Sequence, residues 1–521
     1  MKISTKKIAM LGTALCWPFI AQAQEIELKS KDGSIDLRGE LIEYQDSIYV
    51  LESQFGTVRV TADQVDCFGA GCPDTQVLDQ EIAFSGSDTI AEGLMPVLLA
   101  SYAASLEAEP VATETIGSVE TNTQFIENLG FGDLIGSFRV RSSISSDAFV
   151  NLLGKSAEIG VSSRRITIEE ARMLREYGSG SMVNPANEHI LANDSIIVVT
   201  HPSNPVSSIT MAQLQGIYSG EISNWSELGG HDAPIGAVHL ERGSGTRGVF
   251  EERVLRGAPG TPVLNVDADG SVDVSRQIDA DENAIGYVSF AFKRGAKAMT
   301  IVNECGIAME PDVFSAKTGE YIMQRPLYFY TRGDTITPEA EGFLTWAKSP
   351  EAEAAIFKSG FIDLGVTRAA QGADSLRAQN LVNAGLGNYE TTFANEMIAT
   401  MGDYDRLSST FRFNAGSNRL TPQSRVGLER LVSHLEGQPA GEYLLVGFTD
   451  DQGPFDANLD VSKSRADHMV SEIAAVAGNR LDHITFATTG FGELAPVACN
   501  ASDEGRAVNR RVEIWTAKSN G

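Results

Sequence analysis

Between residues 24 and 75 apolar and polar side chains alternate, at Ile26 and Leu28, Ile35 and Leu37, and Val58 and Val60. A period of two puts successive side chains on opposite faces of a strand, so this stretch reads as a small β module with one buried face. Lys31-Asp32-Gly33-Ser34 supplies an Asp-Gly turn for a hairpin. The module is far too short for a membrane barrel, which takes at least eight strands of about 9–11 residues. From 76 to 365 the pattern becomes mixed. Ser195 to Thr200 is a continuous apolar run typical of a buried strand, whereas Ala91, Leu94, Met95 and Leu98 repeat at i, i+3, i+4 and i+7. Strands alternating with helices predict an α/β architecture. A stretch this long strains a single core, which stops growing at roughly 250–300 residues, so two lobes are expected. Residues 366–404 have weak periodicity and read as a partly helical linker. From 405 to 521 a last unit shows strand patterns at Phe411–Asn414, Tyr443–Phe448, Ile484–Thr488 and Arg511–Trp515. Between them lie helical patterns. One is capped by Thr421 with Pro422 in its first turn and carries Leu428, Leu431, Val432 and Leu435. The other opens at Ser462 and carries Ala466, Met469, Val470 and Ile473. That order predicts an α+β sandwich.

The first 23 residues change the picture. Lys2, Lys6 and Lys7 precede an apolar run from Ile8 to Ile20, and Ala21-Gln22-Ala23 supplies a small-x-small cleavage pattern. Cys16 follows Leu15, where lipoprotein processing wants a small residue, so the segment reads as an ordinary secretory signal. No other stretch approaches the roughly 18 apolar residues of a membrane span. The expected product is an exported, periplasmic chain with no transmembrane span. The formal charge of −28 becomes more negative once the three lysines of the leader are lost. That field argues against nucleic acid and against anionic lipid, and any anion site must be built locally against it.

Export permits disulfides. Cys67 and Cys72 bracket Phe68-Gly69-Ala70-Gly71, a short loop suited to closure; a zinc site would need further ligands, and the seven histidines show no paired spacing. Cys305 and Cys499 sit alone in separate regions and are expected to be buried thiols.

In the C-terminal unit, Gly447-Phe448-Thr449-Asp450-Asp451-Gln452-Gly453 is followed by Asn458, Ser462, Arg465 and Ala466. Gly490-Phe-Gly-Glu-Leu-Ala-Pro496, Asn500 and Glu504-Gly-Arg-Ala-Val-Asn-Arg-Arg-Val-Glu-Ile514 come next, in order. This set resembles the OmpA-like peptidoglycan-associated domain over the whole unit. Asp450 lies where a strand opens into a glycine-containing loop, and Arg465 is expected on the first turn of the helix opened by Ser462. A carboxylate and a guanidinium arranged this way suit a zwitterion: Asp450 takes an ammonium, Arg465 and free helix N–H groups take a carboxylate. The resemblance implies that the ligand is the diaminopimelate of a peptidoglycan stem peptide, with Asn458 and Arg510 lining or supporting the pocket. The bland reading is a surface ion pair between Asp450 and Arg465 worth about 0–1 kcal/mol.

The central stretch contains Phe84-Ser-Gly-Ser-Asp-Thr-Ile90, Ile159-Gly-Val-Ser-Ser-Arg164, the long run Ser207 to Gly230, Gly243-Ser-Gly-Thr-Arg247 and Asn283-Ala-Ile-Gly-Tyr287. Together these resemble the PstS-like phosphate-type periplasmic binding proteins, which implies two α/β lobes closing on a ligand. Ser244, Gly245 and Thr246 precede a helical stretch, so consecutive N–H groups and two hydroxyls can cradle a tetrahedral oxyanion. Ser87 and Thr89 sit the same way before the Ala91–Leu98 helix, and Ser162 and Ser163 form a third cluster. Phosphate or a similar oxyanion is the expected ligand. Two departures stand out. Such binders usually carry an arginine four residues before the serine of the Ser-Gly-Thr run; that place is Leu240, with Arg242 and Arg247 the nearest candidates. A carboxylate that would accept a proton from hydrogen phosphate is not evident beside Ser162 and Ser163, although Glu158 and Asp88 are near in sequence. The bland reading makes these hydroxyls helix caps.

The expected function is a periplasmic binding protein held to peptidoglycan, without cofactor or metal. An alternative is an envelope protein whose solute-binding fold serves as a ligand-free spacer or interaction platform. No Gly-x-Ser-x-Gly elbow, His-Glu-x-x-His or Cys/His pair argues for an enzyme.

Overall fold

The computed structural model describes residues 25–518 apart from 31–35, 46–47, 62–64, 70, 73–80, 115–118, 242–243, 256–265, 335, 415 and 418. The leader, the Asp-Gly turn and Arg242 lie outside the described residues.

The described residues before Glu81 form one compact unit. Its antiparallel sheet runs Gly56–Thr61, Ile48–Ser53, Asp36–Gln45, Glu25–Ser30 and Val65–Phe68 in spatial order. Ile26, Leu28, Tyr49, Leu51, Val60 and Val65 make its small core, which is the alternation of the sequence turned inward. Cys67 and Cys72 are bonded across the loop that ends this sheet, their Cα atoms 5.9 Å apart.

The second unit begins at Glu81. One sheet runs through it in the order Val266–Ala268, Gly236–Leu240, Ala284–Ser289, Glu188–Thr200, Gln324–Thr331, Ile159–Ser162, Glu81–Ser87, Leu134–Ser143, Glu120–Ile126 and Ala108–Glu114. The strands Ile159–Ser162, Glu81–Ser87 and Leu134–Ser143 are mutually parallel, as βαβ packing requires. Helices cover both lobes, giving the two-lobed α/β fold. Leu191 and Ala192 belong to the core of the first lobe, with Phe84, Phe329 and Phe343. Ile196 to Val199, farther along the same strand, belong to the core of the second, with Tyr218, Phe250 and Tyr287. The antiparallel pair Glu188–Thr200 and Gln324–Thr331 therefore passes from lobe to lobe and forms the hinge.

The C-terminal sheet runs Arg368–Ala369, Tyr404–Arg412, Arg511–Ala517, Gly441–Gly447 and Ile484–Gly490. The Thr421 side chain accepts from the Ser424 N–H and Pro422 opens the helix Pro422–Glu436. A second helix, Phe455–Ala477, packs beside it. On the other face the helices Leu376–Val382 and Asn388–Asp403 bring Ala378, Leu381, Ala394, Met397 and Met401 against Val446, Phe448 and Trp515. Among the described residues no helix is long and apolar enough to cross a membrane.

Two expectations fail here. Ser462 does not open a helix: the helix starts at Phe455 with Pro454 as its N-cap, so Arg465 lies well inside it and has no free helix N–H groups beside it. The structural reason is packing. Asn458, Ser462 and Arg465 recur at helical spacing and are all buried, so the helix extends back over their face. Cys305 and Cys499 are not lone thiols either. They are bonded, with Cα atoms 5.4 Å apart, and join the second lobe to the loop after the strand Ile484–Gly490. Their separation of 194 residues hid the pairing from local spacing.

The two bridges differ in weight. Loop-closure entropy assigns about 2 kcal/mol to the short bridge and about 5 kcal/mol to the long one. Alkylation of the denatured, unreduced mature chain should leave all four cysteines unmodified, and reduction should expose four. The pair Cys305→Ser and Cys499→Ser should lower the unfolding free energy by several kcal/mol, clearly more than Cys67→Ser with Cys72→Ser. Labelling of Cys305 or Cys499 without reductant would refute the long bridge.

Candidate functional site

In the cleft between the lobes, three backbone turns end at one place. Ser244 caps the helix Gly245–Phe250, its hydroxyl accepting from the Arg247 N–H at 3.4 Å. A Cβ on Gly245 would stand 2.6 Å from Ser163 Oγ and 3.1 Å from Ser145 Oγ, so a side chain there would push both hydroxyls out of place. Ser145 and Ser163 share a hydrogen bond of 3.2 Å. Thr246 Oγ1 meets Thr89 Oγ1 at 3.3 Å across the cleft. Ser87 Oγ, at the end of its strand, is buried with no partner.

The expected residues are not all gathered. Ser163 is at the meeting point, but Ser162 donates to the Arg164 carbonyl at 2.7 Å and closes its own turn. Arg247 is engaged elsewhere: its Nε pairs with Glu251 at 2.7 Å and its Nη1 donates to the Leu240 carbonyl at 2.7 Å. Glu158 accepts from the Thr337 N–H, at the start of another helix. Asp88 stays close, its Oδ1 accepting from Thr89 N at 2.7 Å and facing Thr89 Oγ1 at 3.3 Å.

The guanidinium that composition could not place is Arg325, on the hinge strand. Its Nε and Nη2 hold Asp194 Oδ2 at 3.0 and 2.9 Å, and Nη2 also donates to Thr246 Oγ1 at 2.9 Å. Ser289 Oγ and the Phe290 N–H donate to Asp194 Oδ1 at 2.7 and 3.2 Å, so the carboxylate is fully used. Arg325 Nη1 is buried without a partner. A buried donor left unmade costs about 1–3 kcal/mol, more for a charged group, which marks this atom as a place where an acceptor belongs.

In the C-terminal domain, Asp450 Oδ2 pairs with Arg510 Nη1 at 2.6 Å rather than with Arg465. Arg465 Nη1 reaches the Phe448 carbonyl at 3.4 Å, its guanidinium lies 5.7 Å from the Phe413 ring, and its Nε has no partner. Burial pushes the Arg465 guanidinium below its ordinary range; Asp450 counters this and Arg510 adds to it. Asn458 Nδ2 donates to the Asp450 carbonyl at 3.4 Å and to Glu493. One carboxylate thus sits between two guanidiniums in a largely desolvated pocket, the arrangement that charge-assisted recognition uses. Among the described residues no cluster of His, Cys, Asp and Glu could hold a metal.

A family model described as PBP superfamily domain matches residues 74–351, more than half of the chain. The chain belongs to the PBP superfamily. A second model, OmpA family, matches residues 412–510 of this PBP-superfamily protein. It is similar to the phosphate-binding protein PstS of Bacillus subtilis, 31% identical over 219 residues, which is 41% of this chain and 71% of that protein. It is similar also to PstS of Pseudomonas aeruginosa PAO1, 26% identical over 246 residues, 44% and 74% of the two chains. A solved structure of a putative phosphate ABC transporter substrate-binding protein with bound phosphate, from Clostridium perfringens, is 27% identical with a TM-score of 0.42, covering 55% of this chain and 99% of that one.

Sequence reading missed Asp194, Arg325 and Ser145. One signal was available: a charged residue stands inside the apolar strand Glu188–Thr200, and such a residue needs a partner. Nothing local could name Arg325, 131 residues on.

A second buried charge cluster mounts the OmpA-type domain of this PBP-superfamily protein. Glu513 meets Arg511 at 2.7 Å, Arg377 at 2.8 Å and Arg406 at 3.0 Å, and Arg406 also pairs with Glu320 of the second lobe. Burial alone would raise the Glu513 and Glu320 carboxyls, but the guanidiniums of Arg377, Arg406 and Arg511 outweigh it at Glu513, and Arg406 does so at Glu320. Both are held below the ordinary carboxylate range. Burial lowers Arg511 to about 10. A depressed carboxyl contributes stability that is present above its unfolded value near 4.5 and lost as pH falls through the folded value. Thermal unfolding should therefore fall off steeply below about pH 4.5, and Glu513→Gln should flatten that slope. At pH 7 the same substitution should cost about 3–5 kcal/mol, because it strands the guanidiniums of Arg377 and Arg511. An unchanged midpoint for Glu513→Gln would contradict this.

Proposed function

We propose that this protein, exported to the periplasm, binds a tetrahedral oxyanion, phosphate first, in the PBP clamp and peptidoglycan through its OmpA-type domain. The observation that carries the anion reading is the pair of unpartnered buried atoms, Ser87 Oγ and Arg325 Nη1, flanking the Thr89–Thr246 contact. The names of the PstS relatives support the same ligand class. In this reading Ser87, Thr89, Ser163 and Ser244, with the N–H groups of Gly245 and Thr246, ligate the oxygens. Arg325 supplies the charge, aimed by Asp194. Asp88 takes the proton of hydrogen phosphate, which sulfate cannot offer. Asp450, supported by Asn458 and Arg510, receives the ammonium of a diaminopimelate stem, and Arg465 receives its carboxylate.

Calorimetry on the mature chain tests the clamp. Ser244→Ala with Thr246→Ala should weaken phosphate binding at least tenfold, since each hydrogen bond to a charged group is worth about 1.5–3 kcal/mol. Arg325→Met should do the same. No heat with phosphate, sulfate, molybdate or tungstate would turn the reading to a ligand-free platform.

Co-sedimentation with purified diaminopimelate-type peptidoglycan tests the wall. Asp450→Ala and Arg465→Ala should each remove binding, a loss of about 2–5 kcal/mol for a desolvated partner. Arg465→Lys should restore little, because a point charge does not replace the planar fork. Folded alanine variants that pellet as wild type does would show the pocket to be wrongly assigned.

A further inference from the structure

A cavity of about 900 Å³ lies where the second lobe, the helix Leu376–Val382 and the loops of the OmpA-type domain meet. The Cys305–Cys499 bridge forms part of its wall, and Asp451, next in the chain to Asp450, stands at it from the other side. Its volume falls within the range of sites for small organic ligands, roughly 300–1,000 Å³. The covalent bridge and the Arg406–Glu320 pair hold its walls together, so the space is preformed.

The lining selects against the anion of the clamp. Of its charged groups, Arg406 pairs with Glu320, and Arg377 with the buried Glu513 behind it. Glu310, Asp312 and Asp451 remain, and they repel phosphate and free carboxylates. The hydroxyls of Ser315 and Ser375 donate within their own turns, and the side-chain polar groups left over are amides. Both polar atoms of the Gln371 side chain are buried with no partner, and the residue is only 8% exposed. Asn380 and Asn500 line the same space, beside apolar Ile307 and Leu376. An amide that offers one donor and one acceptor is complemented by another amide, and the apolar wall suits a methyl or methylene beside it.

We infer that this junction cavity binds a neutral N-acyl group of peptidoglycan adjoining the charged centre held at Asp450. The chemistry is shared by the peptide bonds of the stem and the acetamido groups of the sugars. The inference rests on the wall-binding reading of the OmpA-type domain, and it makes the solute-binding lobe part of the wall-binding site.

The mature full-length protein should be titrated with three soluble fragments: the stem tripeptide ending in diaminopimelate, the N-acetylated disaccharide without peptide, and the two joined. Gln371→Leu and, separately, Asn380→Leu should each weaken the joined fragment at least fivefold, with the thermal midpoint and phosphate binding retained. Loss confined to peptide-bearing fragments assigns the cavity to the stem, whereas loss for the bare disaccharide assigns it to the sugar. If Asp450→Ala removes fragment binding but both cavity variants bind as wild type does, the cavity inference falls and the wall reading stands. If the cavity variants weaken the disaccharide while Asp450→Ala changes nothing, the cavity stands and the Asp450 pocket falls. No binding of any fragment to wild type overturns both.

Discussion

Glu513 is the group on which the arrangement of the second unit depends. It is fully buried and draws in guanidiniums from three parts of the chain: Arg511 on its own strand, Arg377 from the helix Leu376–Val382, and Arg406 from the neighbouring strand. A buried carboxylate is expensive unless paired, and here pairing fixes where the helix and the strand must lie. Arg406 then carries the network to Glu320, in the solute-binding domain. Arg412 adds hydrogen bonds to the carbonyls of Thr318 and Gly319, and the Cys305–Cys499 bridge closes the other side of the contact. The OmpA-type domain is thereby mounted on the second lobe by charge, backbone and covalent bond together.

That mounting matters for a clamp. The strand pair Glu188–Thr200 and Gln324–Thr331 runs through both lobes, and the Asp194–Arg325 pair sits within it. Arg325 reaches Thr246 of the second lobe, while Glu353 of the first lobe meets Arg430 of the C-terminal domain at 2.9 Å. The C-terminal domain therefore touches both halves of the clamp. Any rotation of one lobe about the hinge must remake contacts at that domain.

The apolar patterns were the most legible part. Ile26 and Leu28, the run from Ile196 to Val199, and Leu428, Leu431, Val432 and Leu435 are buried where their periods place them. Ser-Gly-Thr at 244–246 was legible too, because a hydroxyl before a helix has a local structural meaning. Asn458 and Arg465 are legible as residue types, yet the helix that carries them begins at Phe455, seven residues before Ser462. A strong internal serine looked like a cap, and the true start at Pro454 has no side-chain cap bond to announce it.

What the sequence determined by itself were the features set by neighbours along the chain: strand and helix periods, capped ends, the short Cys67–Cys72 loop and the ordered motifs of two families. The tertiary structure decided the rest. It brought Arg325 to Thr246 while engaging Arg247 with Glu251, paired Asp450 with Arg510, and joined Cys305 to Cys499. Each of these choices depends on which distant groups become desolvated together, since burial makes an unpaired charge costly. Burial is a property of the packed chain and has no signature in local spacing.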